Sequence, residues 1–344
     1  MFLGIDTGGT YTDAVLFSHE DGVIAKAKAL TTRHDLSVGI GGAVSSVLAQ
    51  SGGEANSIGL VSLSTTLATN ALVEGQGGRT ALVMIGFAED DLQRDGLAGA
   101  LGSDPVVFVP GGHNVHGKES PLDLAPLEAV ADSIAGDVVA FAVAGYFAVR
   151  NPAHELAVRD FLRDRTGLPV TCSHELSSRL GGPRRALTTL LNARLVAMID
   201  RLIDATEAHL ARSAIDAPLM VVRGDGALMS AAQAQERPIE TILSGPAASI
   251  VGARWLTGAD SALVSDIGGT TTDIALLRGG APVIDPDGAR VGPHRTMVEA
   301  VAMRTHGLGG DSEVQLITEG LTGNVKLGPR RVLPVALVAQ DAPE

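Results

Sequence analysis

Short apolar runs bounded by glycine, aspartate and proline alternate along the chain with longer stretches whose apolar residues recur every three or four positions. The runs Gly59 to Leu63, Thr80 to Ile85, Val106 to Val109, Val138 to Val143 and Leu219 to Val222 predict strands. Pro183 to about Arg212 predicts a long helix, because Leu191, Leu195, Met198, Leu202 and Ile203 fall on one stripe, and its expected job is to join two domains. A second helix is predicted from Ile239 to Leu256, where Gly245, Ala247, Ala248, Ser249, Gly252 and Ala253 leave room for close backbone approach. Strands interleaved with helices predict α/β domains with helices packed on the sheet faces.

One segment occurs twice. Leu3 to Leu16 aligns without gaps on Leu263 to Leu276, with eight of fourteen positions identical. A separation of 260 residues is too long for a solenoid period and points to two similar domains, each opening with the same element. In each copy an apolar run enters an Asp-x-Gly-Gly-Thr turn and leaves through another, the pattern of a β-hairpin with a wide glycine loop. A third strand is expected after the turn at Asp21-Gly22 and again after Gly279-Gly280. The domain boundary is expected between about 175 and 190, giving units 1–180 and 181–344.

At 344 residues there is enough chain for two hydrophobic cores. The formal charge of -13 argues against a surface that tracks nucleic-acid phosphates or anionic lipid, so no partner of either kind is expected. The lone Cys172 excludes an internal disulfide and reads as a small core residue. The N-terminus has no basic flank and meets Asp6 at once, unlike a secretory leader, and Val138 to Val149 is too short to span a bilayer. Together these features predict a cytoplasmic location.

Candidate chemistry gathers in the repeated hairpins. Gly8, Gly9, Gly268 and Gly269 free backbone N–H groups for phosphate oxygens, and Thr7, Thr10, Thr12, Thr270 and Thr271 add hydroxyl donors. Asp6 and Asp266 end their first strands as candidate Mg2+ ligands acting through the metal's water shell. Asp13 and Asp273 leave each loop, suited to orient water or receive a proton. A single copy would read equally well as an ordinary turn with a capping aspartate; two matched copies favour a phosphate clamp.

The pair of motifs resembles the two phosphate motifs of the superfamily containing actin, sugar and acetate kinases and chaperone ATPases. In their full forms, Asp6 to Asp13 and Asp266 to Asp273 resemble the hydantoinase/oxoprolinase family, as do Ser64 to Ala71, Thr188 to Ala193 and Leu243 to Ala247. The resemblance implies two ribonuclease H-like domains, each a mixed five-stranded sheet flanked by helices, with ATP held at a cleft by both hairpins. It implies ATP and Mg2+ as cofactors, a cyclic amide of the hydantoin or 5-oxoproline type as substrate, and phosphorylation of the amide oxygen before hydrolysis. It also implies a hydantoinase B-type partner subunit, is compatible with a homo-oligomer, and makes the chain the N-terminal part of a longer protein with a shortened second domain. Thr65, Thr66 and Asn70, at a strand-to-helix junction, are candidates for the substrate side, against an alternative role in helix capping. Gly309 and Gly310 are candidates for the nucleotide, with Asp311 in the manner of the acid that chaperone ATPases place near phosphate.

The chain departs from the family pattern in three places. Leu63-Ser64 stands where relatives carry His-Gly, Arg223-Gly224-Asp225-Gly226 replaces Ser-Asn-Gly-Gly, and Asp311 enters a glycine loop. Two rival functions follow: the ATP-using subunit of an acetone-type carboxylase, and a nucleotide-gated ATPase without a metabolic substrate. Three other patterns are read as decoys. Gly112 to Lys118 has P-loop spacing but continues into Glu119, Arg223-Gly224-Asp225 reads as a turn, and His113 and His116 read as solvated loop histidines without a third metal ligand.

Overall fold

A computed structural model describes residues 1–9, 11–32, 35–52, 55–269, 271–317 and 324–333. The chain opens with β1 (Phe2–Thr7), β2 (Tyr11–Ser18) and β3 (Gly22–Leu30), then α1 (Leu36–Gln50), β4 (Leu60–Thr65) and α2 (Leu67–Glu74). An alternating stretch follows: β5 (Thr80–Ile85), α3 (Leu97–Leu101), β6 (Val106–Val109), α4 (Ala125–Glu128), α5 (Ala131–Ala135), β7 (Ala140–Gly145), α6 (Ala153–Thr166), β8 (Val170–Cys172) and α7 (Ser173–Leu176). Next come α8 (Gly182–Arg212), β9 (Leu219–Val222), β10 (Leu228–Ser230), α9 (Ala231–Glu236) and α10 (Ser244–Thr257). The rest is β: β11 (Ala262–Ile267), β12 (Thr272–Arg278), β13 (Ala281–Pro282), β14 (Arg290–Val291), β15 (His294–Arg295), β16 (Met303–His306), β17 (Ser312–Ile317) and β18 (Asn324–Arg331).

Two compact units emerge, residues 1–245 with 286–300, and residues 246–285 with 301–344. This break in packing differs from the expected boundary at 180/181, and α8 explains the difference. Leu191, Leu195, Leu202 and Ile203 of the expected stripe are buried, and the helix packs on β5, β7 and β8 and against α1. It therefore belongs wholly to the first unit. The 286–300 segment returns to the same helix: Arg184 donates to the Asp287 and Thr296 carbonyls, and Met297 N donates to Thr188 Oγ1 at 3.0 Å.

In the first unit the main sheet runs β10-β9-β4-β1-β2-β3, mixed in direction, with β1–β4 and β4–β9 parallel and the rest antiparallel. Five of its strands make up a mixed sheet of the expected size; β10 adds a sixth by folding back on β9. Between β4 and β9 the chain inserts a four-stranded parallel sheet, β6-β5-β7-β8, with its own core of Val83, Ile85, Phe141, Val143, Val158 and Leu162. Glycine matters where α1 meets the main sheet, since a Cβ on Gly39 would lie 2.8 Å from Leu30 O and 3.3 Å from Thr12 Oγ1.

The second unit repeats the hairpin. β11 pairs with β12, and β12 pairs on its other side with β13 and then β16, so the described residues give three strand positions instead of the five expected. The single helix expected over 239–256 is interrupted: a 3-10 turn covers Pro238–Thr241, and α10 starts at Ser244 after Leu243 takes φ 60.

Candidate functional site

The two hairpins have the same geometry to the residue. Asp6 lies opposite Asp13 and Thr7 opposite Thr12, with Gly8 N donating to Tyr11 O at 2.9 Å. In the second copy Asp266 lies opposite Asp273 and Ile267 opposite Thr272, with Gly268 N donating to Thr271 O at 2.9 Å. Each loop therefore brings two carboxylates side by side on neighbouring strands. The same pairing turns the neighbouring positions to the opposite sheet face. Thr7 and Thr12 share their face with the buried Ile5 and Ala14, and Thr12 Oγ1 bonds Thr31 Oγ1 at 2.9 Å. Thr272 is likewise buried, donating to Leu308 O at 2.6 Å. The hydroxyls of Thr7 and Thr12 are thus turned into the core, which corrects the expectation that they face phosphate. Thr10 and Thr270 lie outside the described residues.

Family-motif residues in the first unit converge on the end of β1. Ser64 Oγ donates to Asp6 Oδ1 at 2.6 Å, Thr65 Oγ1 donates to Thr7 O at 3.1 Å, and Thr66 N donates to the same carbonyl at 3.2 Å. Thr65 Oγ1 also accepts from Leu67 N at 3.0 Å, so this buried threonine fastens β1 to the start of α2. Thr66 is the N-cap residue of α2 but makes no side-chain cap. Ser244 brackets Thr65, donating to its carbonyl at 2.9 Å and accepting from its N–H at 3.2 Å, while Leu243 N donates to Thr69 Oγ1. A Cβ on Gly245 would sit 3.1 Å from Thr66 Cγ2 and 3.8 Å from Asp6 Oδ1. Ser64, Ser244 and Gly245 are supports that sequence reasoning had not assigned.

In the second unit Asp266 Oδ2 accepts from Ser249 Oγ at 3.0 Å, and Asp273 Oδ1 from Thr305 Oγ1 at 2.6 Å. The late glycine pair reaches this hairpin: Gly310 N donates to Gly268 O at 3.0 Å and Asp311 N to Gly269 O at 2.9 Å. Asp311 Oδ1 is buried there with no hydrogen-bond partner among the described residues. All these groups are oxygen donors of the kind a hard cation such as Mg2+ takes, and an orphaned carboxylate oxygen beside a glycine loop suits a hydrated cation.

The decoy patterns resolve on their hydrogen bonds. Around Gly112 to Lys118, Asn114 Oδ1 accepts from His116 N and Lys118 N, and His113 N donates to Tyr146 O, so these amides are occupied internally. The Arg223 to Ala227 segment is a turn closed by Arg223 N donating to Ala227 O at 2.8 Å. His113 corrects its reading as solvated: it is buried, its ring lies 4.3 Å from that of His154, and burial and His154 together depress its pKa. Glu119 completes a group of metal-ligand type. Gly112 N, however, donates to His154 Nδ1 at 3.0 Å, which leaves the His154 proton on Nε2, 3.5 Å from Glu119 Oε2. That nitrogen is a donor, and the group anchors the loop. A second such group, Glu155, Cys172 and His174, is saturated too, because the Glu155 carboxylate accepts from Gly145 N, Ser173 Oγ, His174 N and His174 Nδ1. Burial pushes the Cys172 thiol far up, as a core residue requires. Among the described residues no helix is long and apolar enough to cross a membrane.

A mixed sheet of this strand order opened by a glycine hairpin, with the hairpin repeated in a second unit, is the actin-like ATPase fold. Solved structures agree. An ATP-dependent caprolactamase from Pseudomonas jessenii superposes with a TM-score of 0.79 at 28% identity, over 96% of this chain and 51% of that one. A nucleotide-free acetone carboxylase does so with a TM-score of 0.77 at 24% identity, over 96% and 51%. The chain belongs to the hydantoinase/oxoprolinase family: the family's N-terminal region matches residues 2–166 and its hydantoinase/oxoprolinase region residues 185–333. Among curated relatives, the caprolactamase subunit alpha of Pseudomonas jessenii is 30% identical over 95% of this chain and 50% of its own length. The acetophenone carboxylase gamma subunit of Aromatoleum aromaticum is 28% identical over 95% and 49%. The chain thus spans about half the length of the curated relatives it matches.

Proposed function

We propose that this chain is the nucleotide-using part of an ATP-dependent enzyme that opens cyclic amides. The observation that carries the reading is the duplicated hairpin: two glycine loops, each with paired carboxylates in the same register and each carboxylate pair held by hydroxyls or, at Asp13, by Lys28 at 3.1 Å. In this reading the backbone N–H groups of Gly9 and Gly269 meet phosphate oxygens. A Cβ on Gly269 would meet nothing within 4 Å, so the approach is open. Asp6 in the first unit, and Asp266 with Asp311 in the second, would each suit hydrated Mg2+, which when bound supplies charge neutralisation at the phosphates. The amide oxygen attacks the γ-phosphorus, forming a P–O bond as the bond to ADP breaks. Water then adds to the activated carbon and the ring nitrogen leaves as the amine, giving an acyl phosphate that a second water hydrolyses, so that lactam, ATP and two waters give the ring-opened amino acid, ADP and phosphate. Positioning and charge compensation are the protein's main contributions to such a transfer.

The amide-opening reading is favoured over the carboxylase reading by the caprolactamase relative's higher identity. A hydantoinase B-type subunit is the expected partner, since the relatives are themselves subunits. The test is ADP release by the full enzyme with its partner, screened with hydantoin, 5-oxoproline and neutral lactams, and separately with ketones plus bicarbonate. Cyclic amides should stimulate release; stimulation by ketone and bicarbonate alone would assign the chain to carboxylation, and release independent of any small molecule would assign it to a nucleotide gate.

A further inference from the structure

The first unit contains a cavity of about 390 Å³ whose wall includes Gly9 of the phosphate loop. Its other walls come from the start of α1, from α2 and from the middle of α8. Leu36, Leu67, Ala71 and Met198 give it an apolar lining, and Asn70 stands among them. From these features we infer that the cavity binds the acceptor as an uncharged cyclic amide, paired edge to edge with the Asn70 carboxamide. The inference rests on the reading of the hairpin as a phosphate loop.

Three properties of the wall select this class. The volume lies at the small end for ligand pockets, fitting a single ring and little more. A ring forces its amide to be cis, so N–H and C=O point from the same edge, and a primary carboxamide is their complement: Asn70 Oδ1 accepts the N–H while Nδ2 donates to the oxygen. Asn70 is free to do this. Its Nδ2 makes one long contact, 3.5 Å to Thr66 Oγ1, and its Oδ1 accepts no hydrogen bond among the described residues. A ketone offers only the carbonyl and would leave Oδ1 unpaired, an asymmetry that a hydrogen-bonding site converts into discrimination.

Charge completes the selection. Asp35, Glu74 and Asp204 line the cavity against the single guanidinium of Arg201. Asp35 is already occupied in capping α1, accepting from Ser37 N at 3.0 Å, and Glu74 accepts from Gln76 Nε2 at 2.5 Å, but both remain anionic to a ligand. A wall of net negative sign disfavours a carboxylated ring such as 5-oxoproline relative to a neutral lactam.

The test is ligand-observed NMR on the 344-residue chain with ε-caprolactam, cyclohexanone and 5-oxoproline, each with and without a non-hydrolysable Mg-ATP analogue. The lactam should bind at least about tenfold more tightly than either competitor, one unpaired polar group or one unit of like charge being worth about that factor. Asn70→Asp, which keeps the shape but cannot donate, and Met198→Trp, which fills the space, should each weaken lactam binding by about tenfold or more while nucleotide binding holds. Lactam binding unchanged in both variants, absent from the wild type, or no tighter than that of cyclohexanone would overturn the inference. Loss of nucleotide binding in the wild type would instead overturn the phosphate-loop reading beneath it.

Discussion

Replacing Asp6 by asparagine separates charge from packing. The amide oxygen of asparagine can still accept from Ser64 Oγ, which lies 2.6 Å from Asp6 Oδ1. Stability therefore loses only the difference between a charge-assisted and a neutral hydrogen bond, about 1 kcal/mol. For a unit of this size that lowers Tm by about 2–4 °C. The effect on Mg-ATP is larger. A unit negative charge about 6 Å from a divalent cation, at an effective dielectric of about 40, is worth roughly 3 kcal/mol, or about a hundredfold in affinity. Calorimetric titration with ATP in the presence of Mg2+ and again in the presence of a chelator separates the two contributions. The variant should lose about a hundredfold with Mg2+ and little without it. Equal Mg2+ dependence in wild type and variant would refute the assignment of Asp6 to the metal, and a Tm drop far beyond a few degrees would show that the carboxylate serves the fold instead.

Three further outcomes are expected. Gly245→Val places a branched side chain where even a Cβ comes 3.1 Å from Thr66 Cγ2, so Mg-ATP binding should fall in calorimetric titration more than it does for Gly245→Ala; equal binding by both would release Gly245 from the site. Asn192→Leu strips partners from Thr171 Oγ1, Glu236 O and Ile239 N, which the buried carboxamide bonds at 3.1, 3.1 and 3.0 Å, and should cost about 3–5 kcal/mol in urea unfolding, a loss under 1 kcal/mol being inconsistent with the network. His113, His209 and His294 all have pKa values depressed chiefly by burial, so the unfolded chain binds more protons. Their stability contribution is complete above the ordinary histidine value of about 6.5 and is lost as pH falls below it, and Tm should decline over that range with a slope that His209→Phe reduces.

Strand positions were legible because these parallel strands are apolar runs stopped by glycine, proline or a charged residue: Thr80 to Ile85, Val106 to Val109 and Leu219 to Val222 were read to the residue. The hairpin repeat was legible for a different reason, since carboxylates facing one another across a register leave the same spacing in both copies. Side-chain direction was the weak point. Thr7 and Thr12 belong to the motif by sequence, yet period-two alternation sends them to the face of Ile5 and Ala14, a consequence that could have been drawn from the apolar neighbours alone. The contact break at 245 was not legible, because a long amphipathic helix carries the same stripe whether it bridges domains or lies within one. His113 was misread because its burial depends on His154, 41 positions away, on a helix that periodicity does not tie to the loop.

The supports of the two hairpins indicate which part of the repeat is under chemical constraint. Asp6 is held by Ser64 from a neighbouring parallel strand, whereas Asp266 is held by Ser249 from a helix. Ser64 and Ser249 occupy unrelated positions relative to their hairpins, one after it and one before, so the repeat does not supply them. What both provide is a hydroxyl donor that fixes one carboxylate oxygen. A structural turn needs no such donor, since its aspartate would cap amides of the loop itself. Two unrelated elements delivering the same hydrogen bond to equivalent carboxylates is the arrangement expected where the orientation of the carboxylate, more than its burial, is what the fold must secure. Ser64→Ala and Ser249→Ala should therefore resemble each other, each loosening one aspartate and weakening Mg-ATP by about fivefold to tenfold while Tm shifts by only a few degrees, as loss of one partly exposed hydrogen bond predicts. A variant of either serine that melts normally and binds Mg-ATP as the wild type does would show that its aspartate needs no orientation.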